Sequence, residues 1–217
     1  MSTLAIFDMD ETLIRCDSST LWLHYLVEKG LAPATMLEVE SNMMQAYHAG
    51  TLSMQTYMDY TLSPLAGKSV AEVDAWAEDY VARIVPHQVY AQGQAQVQWH
   101  KDQNHALLII SATAEFIVRK IAASFGVNDV IAIDLQTQDV LYTGATRGVL
   151  SFREGKVERL QHWLSVQGHT LAGSYGYSDS LNDLPLLEAV EKPHVVNPSA
   201  KLQAIVAQRQ WPQLAWQ

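Results

Sequence analysis

The chain has 217 residues, 48% of them hydrophobic and 17% charged, which suits one substantial core with room for a smaller insert and excludes disorder, fibre and two full-sized similar domains. Its formal charge of −9, from 14 basic against 23 acidic residues, comes without any basic run, so nucleic acid is not an expected partner. The single cysteine, Cys16, excludes an intrachain disulfide and a multi-cysteine metal site, and no apolar run approaches the ~18 residues of a membrane span.

The first element is Leu4 to Phe7, a short apolar run of the kind found in central strands of parallel sheets. It runs straight into Asp8, Asp10 and Glu11, which also interrupts any leader-like stretch, so cytoplasmic residence is the expectation. From Ser18 to about Ile84 the pattern is helical, with segments near 18–30, 34–48, 53–62 and 69–84 punctuated by Gly30, "AGTLS" around Gly50, and "SPLAGKS". Residues 85–103 then read as a helix returning to the core.

Four later segments complete a set of strands: "HALLIIS" at 105–111, "DVIAIDL" at 129–135, "GSYGYSD" at 173–179 and "KPHVVN" at 192–197. Strands alternating with helices predict a doubly wound, Rossmann-like parallel α/β sheet. Roughly a hundred residues separate the first two strands, against the ~10–12 that a crossover needs, so a small all-helical insert is expected. The division this predicts is a core of residues 1–15 and 85–217 with a helical cap of 16–84. Residues 133–148 suggest a hairpin on the sheet edge around Gln138-Asp139, and "RQWPQLAWQ" a last strand. The eight histidines show no metal-ligand spacing and read as surface or packing residues.

Ligands of open α/β sheets sit beyond the carboxyl ends of the strands, where Asp8, Ser111 and Asp179 would converge. Four motifs occur there in order: "DMDET", Ser111 in "LLIISAT", Lys156 in "REGKVERL", and "YSDSLNDLPLL". With the insert after the first motif, this pattern resembles the haloacid dehalogenase superfamily, in particular its phosphoserine-phosphatase-like branch of phosphohydrolases. The resemblance covers nearly the whole chain. It implies an Mg²⁺-dependent phosphatase acting on a small phosphorylated metabolite through an aspartyl-phosphate intermediate, as a monomer or homodimer.

The chemistry gives each motif residue a task. A phosphate monoester dianion repels nucleophiles, so its hydrolysis needs a positioned nucleophile, a cation against the phosphoryl oxygens and an acid for the leaving alkoxide. Asp8 is the candidate nucleophile, with an ordinary pKa of ~3.9, and Asp10 the candidate general acid and base. Ser111, with Ala112 beside it, and Lys156 would hold the phosphoryl group. The resemblance assigns Mg²⁺ to Asp8, the main-chain carbonyl of Asp10, and Asp179, with Asp183 holding a metal-bound water and Asn182 contacting the phosphoryl group or a neighbouring loop. An Asp at position 10, where transport ATPases of the superfamily carry Thr, implies rapid hydrolysis of the intermediate rather than its persistence.

Specificity should lie where the chain leaves the core. In phosphoserine phosphatases an acidic residue nine after the nucleophile, matching Asp17, grips the substrate's amino group, and Arg15 is a second candidate contact. The carboxylate-binding Arg of those enzymes has no counterpart, since no Arg or Lys occurs between Lys29 and Lys68. An amine-bearing phosphate without a carboxylate, such as histidinol phosphate, therefore suits Asp17, Trp22, Tyr57, Asp59 and Tyr60 better than phosphoserine. Phosphoserine hydrolysis and phosphotransfer are the alternatives within the family; a signalling domain phosphorylated on Asp and a catalytically inactive binding module are those outside it.

Overall fold

The computed structural model describes residues 2–49 and 51–217, which leaves Met1 and Gly50 outside the described residues. β1 (Leu4–Phe7), β2 (Ala106–Ala114), β3 (Asp129–Ile133), β6 (Tyr175–Ser178), β7 (Lys192–Val196) and the two-residue β8 (Gln213–Leu214) form one parallel sheet in the order β3-β2-β1-β6-β7-β8. β4 (Leu135–Gln138) and β5 (Leu141–Thr146) form a separate pair. The strand order reverses beside β1, so a crevice opens at the carboxyl ends of β1 and β6.

β1 is buried on both faces, which is why its sequence lacks polar alternation. Ala5 and Phe7 face a large core shared with the helices that follow, whereas Leu4 and Ile6 join Leu108, Ile110 and Leu160 on the other side. Phe7 stacks on Tyr177 with ring centroids 4.5 Å apart, locking β1 to β6 one residue before Asp8.

Between β1 and β2 come α1 (Ser18–Glu28), α2 (Thr35–Ala49), α3 (Met54–Thr61), α4 (Val70–Ile84) and α5 (Ala91–Asp102). Asp17 caps α1 through the Thr20 amide at 2.8 Å, and Ser69 with Glu72 forms a capping box on α4. Trp22, Tyr25 and Tyr80 pack as an aromatic knot, with the Tyr80 hydroxyl donating to the Ser18 carbonyl at 2.8 Å. Four further helices complete the fold: α6 (Glu115–Ser124), α7 (Glu154–Gln167), α8 (Leu184–Ala189) and α9 (Ala200–Arg209), the last absent from the sequence reading. Among the described residues, no helix is long and apolar enough to cross a membrane.

The hairpin is not on the edge of the main sheet. The β4–β5 pair leans on the segment before α4, with Gly67 and Val70 donating to the Tyr142 and Val140 carbonyls at 2.8 and 2.9 Å and Tyr142 donating back to Lys68 at 2.8 Å. Its turn residues Asp139 and Val140 both have positive φ, 51° and 63°, the handedness that a tight two-residue hairpin demands.

Candidate active site

β1 delivers Asp8 past the sheet edge, and the Asp8 amide still pairs with the Tyr177 carbonyl at 2.9 Å. The chain then turns sharply: the amides of Thr12, Leu13 and Ile14 all return to the Met9 carbonyl, and Glu11 adopts a left-handed φ of 56°. That turn swings Asp10 beside the start of α1. Its Oδ1 accepts from the Ser18 amide at 2.8 Å and its Oδ2 from the Thr113 hydroxyl at 2.8 Å.

Ser111 does not end its strand. The pairing of β2 with β3 is regular to Ile110 and resumes only at Ala114, so Ser111 sits in an irregular stretch. There its hydroxyl accepts from the Thr113 amide at 3.1 Å and lies 3.5 Å from Asp10 Oδ2.

Lys156, in the first turn of α7, is buried rather than solvated. Its ammonium contacts Asp8 Oδ1 at 2.8 Å and Asp183 Oδ1 at 2.7 Å. Burial alone would favour the neutral amine, but the Asp183 and Asp8 charges outweigh it and hold the ammonium protonated far above its ordinary range. Ser178 donates to Asp183 at 2.8 Å, fixing it from the end of β6. Asp179 follows β6 directly. Its amide donates to Thr12 Oγ1 at 3.0 Å and its Oδ1 accepts from that hydroxyl at 2.9 Å, while Asp8 Oδ2 lies 3.5 Å from the same Oγ1. The short helical turn that follows is capped by Ser180, not Asp179.

Burial is the main cause of three raised carboxyl pKa values. Asp8 is pushed up to about 6, with Lys156 opposing and Asp183 adding to the rise. Asp10 is pushed up to about 7, helped by the Asp17 charge, and Asp179 lies well above the ordinary carboxylate range, helped by Asp8. Carboxylates that share such a cleft call for a cation, and their donor set is purely oxygen and anionic, which fits a hard divalent ion such as Mg²⁺. Among the described residues, no group of three or more His, Cys, Asp or Glu side chains is placed to hold a metal by itself. A site built on Asp8 and Asp179 therefore depends on main-chain oxygen and water for its remaining ligands, as Mg²⁺ sites usually do.

These residues line one cavity of about 870 Å³. Asp8, Asp10, Ser111, Lys156, Asp179 and Asp183 form its floor, with Ala112 and Asn182 also in the lining. Met44, Tyr47, Met54 and Tyr57, from α2 and α3, and Phe152 add apolar and aromatic surface to the lining, which also includes Asp17. Behind Tyr57, Glu40 is buried and accepts from the Thr20 and Tyr57 hydroxyls at 2.6 and 3.4 Å. Arg153 and Lys201 add positive charge to the lining, and Arg153 Nε donates to Asn182 Oδ1 at 2.9 Å.

The cavity does not gather every expected residue. Arg15 is turned away, packed over the Tyr90 ring at 5.3 Å and donating to the Val89 carbonyl at 3.4 Å, because its amide is pinned to Gln88 at 2.7 Å. Trp22, Asp59 and Tyr60 do not line it either: Trp22 is core, and Asp59 is exposed and bonded to Gln55 at 2.7 Å. Conversely, Thr12, Thr113, Ser178 and Arg153 hold the expected residues in place and went unremarked in the sequence. The only signal for the first three was a hydroxyl residue inside or beside each motif.

The family model for haloacid dehalogenase-like hydrolases matches residues 5–188. The chain belongs to this family. The hydrolase is 39% identical over 220 residues to a histidinol-phosphatase of Neisseria meningitidis, covering 99% of both chains. Its fold matches a protein of unknown function from Bordetella pertussis at a TM-score of 0.91 and 35% identity, covering 99% of each. A phospho-aspartyl intermediate analogue of phosphoserine phosphatase superposes at a TM-score of 0.70 with 15% identity, over 99% of this chain and 93% of the other, which is a likeness of fold.

Proposed function

We propose that this hydrolase is an Mg²⁺-dependent phosphomonoesterase that forms an aspartyl-phosphate on Asp8 and acts on an amine-bearing alkyl phosphate, with histidinol phosphate the best candidate. The observation that carries the reading is the meeting of Asp8, Asp10, Lys156 and Asp179 in one cavity whose lining also holds aromatic side chains and Asp17. The identity with the Neisseria histidinol-phosphatase over both full lengths supports the substrate.

Asp8, held at the strand tip, attacks phosphorus in line with the departing alkoxide. Lys156 Nζ and the Ser111 hydroxyl receive the phosphoryl oxygens, and Asp10 gives a proton to the alkoxide. In the second half Asp10 takes a proton from water as that water attacks the phosphoryl group, and Asp8 leaves as carboxylate. A bound Mg²⁺, held by Asp8, Asp179 and the Asp10 carbonyl, would neutralise charge on the phosphoryl group. Residues 16–84 serve as the cap: Tyr47, Met54 and Tyr57 would pack on a flat ring, and Asp17 would receive a substrate cation.

Arg153 and Lys201 in the lining favour a second reading, in which the substrate also carries a carboxylate, as phosphoserine does. A phosphate-release panel decides between them. The expected order in kcat/KM is histidinol phosphate, then phosphoserine, with p-nitrophenyl phosphate lowest by about tenfold or more, since each lost contact is worth on the order of 1.4 kcal/mol. Histidinol phosphate no better than p-nitrophenyl phosphate removes the substrate assignment, and full turnover by Asp8→Asn removes the nucleophile.

A further inference from the structure

We propose that Thr113 is a positioning residue for Asp10 and that, through Ser19, it ties the orientation of that carboxyl group to the first turn of α1. The proposal deepens the reading of Asp10 as general acid and base, and rests on it.

The geometry is a directed chain. Thr113 is buried, its hydroxyl donates to Asp10 Oδ2 at 2.8 Å, and Ser19 Oγ lies 3.0 Å from Thr113 Oγ1. A hydroxyl has one proton, so a Thr113 that donates to Asp10 must be the acceptor from Ser19. The order is therefore Ser19 to Thr113 to Asp10. The other carboxyl oxygen is held at 2.8 Å by the amide of Ser18, the neighbour of Ser19. Both oxygens of Asp10 are thus fixed directly or indirectly by the opening turn of α1, the first helix of the segment that builds the cavity's far wall.

Thr113 acts on the other side as well. Its amide donates to Ser111 Oγ at 3.1 Å, so one residue spaces the hydroxyl facing the phosphoryl group from the carboxyl group facing the leaving oxygen. Removing only the Thr113 side-chain hydroxyl keeps that amide bond and frees Asp10 to rotate. Proton delivery depends on placement, and groups that orient a reacting side chain are typically worth 10–100-fold when lost. An alkoxide needs the proton and p-nitrophenolate hardly does, so the leaving group separates positioning of Asp10 from general damage to the site.

The test is Thr113→Val, Thr113→Ser, Ser19→Ala and Asp10→Asn, assayed with histidinol phosphate, or the alkyl phosphate turned over fastest, and with p-nitrophenyl phosphate. Thr113→Val should lower kcat/KM, which reports the step that expels the leaving group and not the shared hydrolysis of the aspartyl-phosphate, about 10–100-fold on the alkyl phosphate and less than about threefold on p-nitrophenyl phosphate. Thr113→Ser should restore it, and Ser19→Ala should show the same selectivity at smaller size. In an Asp10→Asn background Thr113→Val should add less than about twofold, because its route is already cut. Equal losses on both substrates, or a full further loss in that background, overturn the proposal while leaving the acid role intact. If Thr113→Val does not fold, the selectivity of Ser19→Ala and the rescue by Thr113→Ser decide. An Asp10→Asn enzyme that loses both substrates equally in kcat/KM removes the acid role, and the proposal falls with it.

Discussion

Lys156 and Asp183 stand 2.7 Å apart with side chains only 3% exposed, and the same ammonium reaches Asp8 at 2.8 Å. The lysine thus neutralises two buried carboxylates at once, the candidate nucleophile among them. Lys156→Met would leave both without a cation, and breaking a buried pair from one side typically costs 3–5 kcal/mol. The expected result is a clear drop in the denaturation midpoint together with a loss of turnover of about 10²-fold or more. Lys156→Arg should recover stability better than turnover, since a planar fork keeps the charge but not its place. Urea titrations run beside phosphate-release assays check both, and an unshifted Lys156→Met midpoint would mean the pair contributes nothing to stability.

Gly155 sets where that lysine stands. A Cβ added there would lie 2.1 Å from the Leu150 carbonyl oxygen, so the loop folds under the start of α7 only because the side chain is missing. The loop is tight on its own account: Gly155 donates to the Phe152 carbonyl at 2.9 Å, and Arg153 sits at a φ of 49°. Gly155→Ala must push α7 or the loop aside and carry Lys156 with it. A displacement of about 1 Å at a reacting group can cost on the order of 10²-fold, so kcat should fall by about that factor. Gly168→Ala is the control: its φ is 69° but nothing lies within 4 Å, so it should cost roughly 1–2 kcal/mol of stability and no turnover. A Gly155→Ala enzyme with unchanged kcat would refute the coupling.

The sequence disclosed the elements whose physics is local or repeated. The apolar run of β1 ending in Asp8, the helical periodicity after it and the ordered motifs sufficed for the sheet and for the floor of the cavity. What stayed hidden depends on pairing across long stretches of chain. The Thr12 bond to Asp179 spans 167 positions and the Thr113 bond to Asp10 spans 103. A threonine beside a motif has no pattern that announces such a partner. Arg15 is a like case: its place where the chain leaves the core suggests the cavity, but pairing with Gln88 turns its side chain to Tyr90. The hairpin was recognisable from its turn, whereas its docking against Gly67, Lys68 and Val70 was not.

The histidines read as surface or packing residues, and one group gives the packing role a pH dependence. Gln96 donates to the Tyr177 hydroxyl at 3.0 Å, that hydroxyl meets His100 Nε2 at 2.9 Å, and His100 Nδ1 meets His105 Nδ1 at 2.7 Å. The chain closes with His100 neutral, accepting from Tyr177 and donating to His105. Burial, with the neighbouring His105 and His194, pushes the His100 pKa down to about 4. A lowered histidine pKa means the unfolded chain takes up the proton first, so this stabilisation is full above about 6.5 and is lost as pH falls towards 4. With Mg²⁺ saturating, the melting-temperature advantage of the native protein over His100→Gln should be largest at pH 7 and shrink by pH 4.5. An advantage that is constant across that range would show that His100 does not titrate as its burial requires.

Metal binding should carry a proton signature of the same sign, from groups whose pKa is raised instead of lowered. Burial raises Asp8 to about 6 and lifts Asp179 well above the ordinary carboxylate range, so in the metal-free protein both hold protons at pH values where a free carboxylate would not. To ligate Mg²⁺ they must release them, and affinity then rises with pH, by up to about tenfold per unit for each proton displaced. The expected dissociation constant is at least about tenfold weaker at pH 5 than at pH 7, with net proton release at the lower pH. Titration calorimetry in two buffers of different ionisation enthalpy reads both quantities without any turnover. Asp179→Asn should abolish most of the binding and most of the proton release together. If affinity is flat from pH 5 to 7, these carboxylates are already ionised in the metal-free protein and burial does not raise them as described.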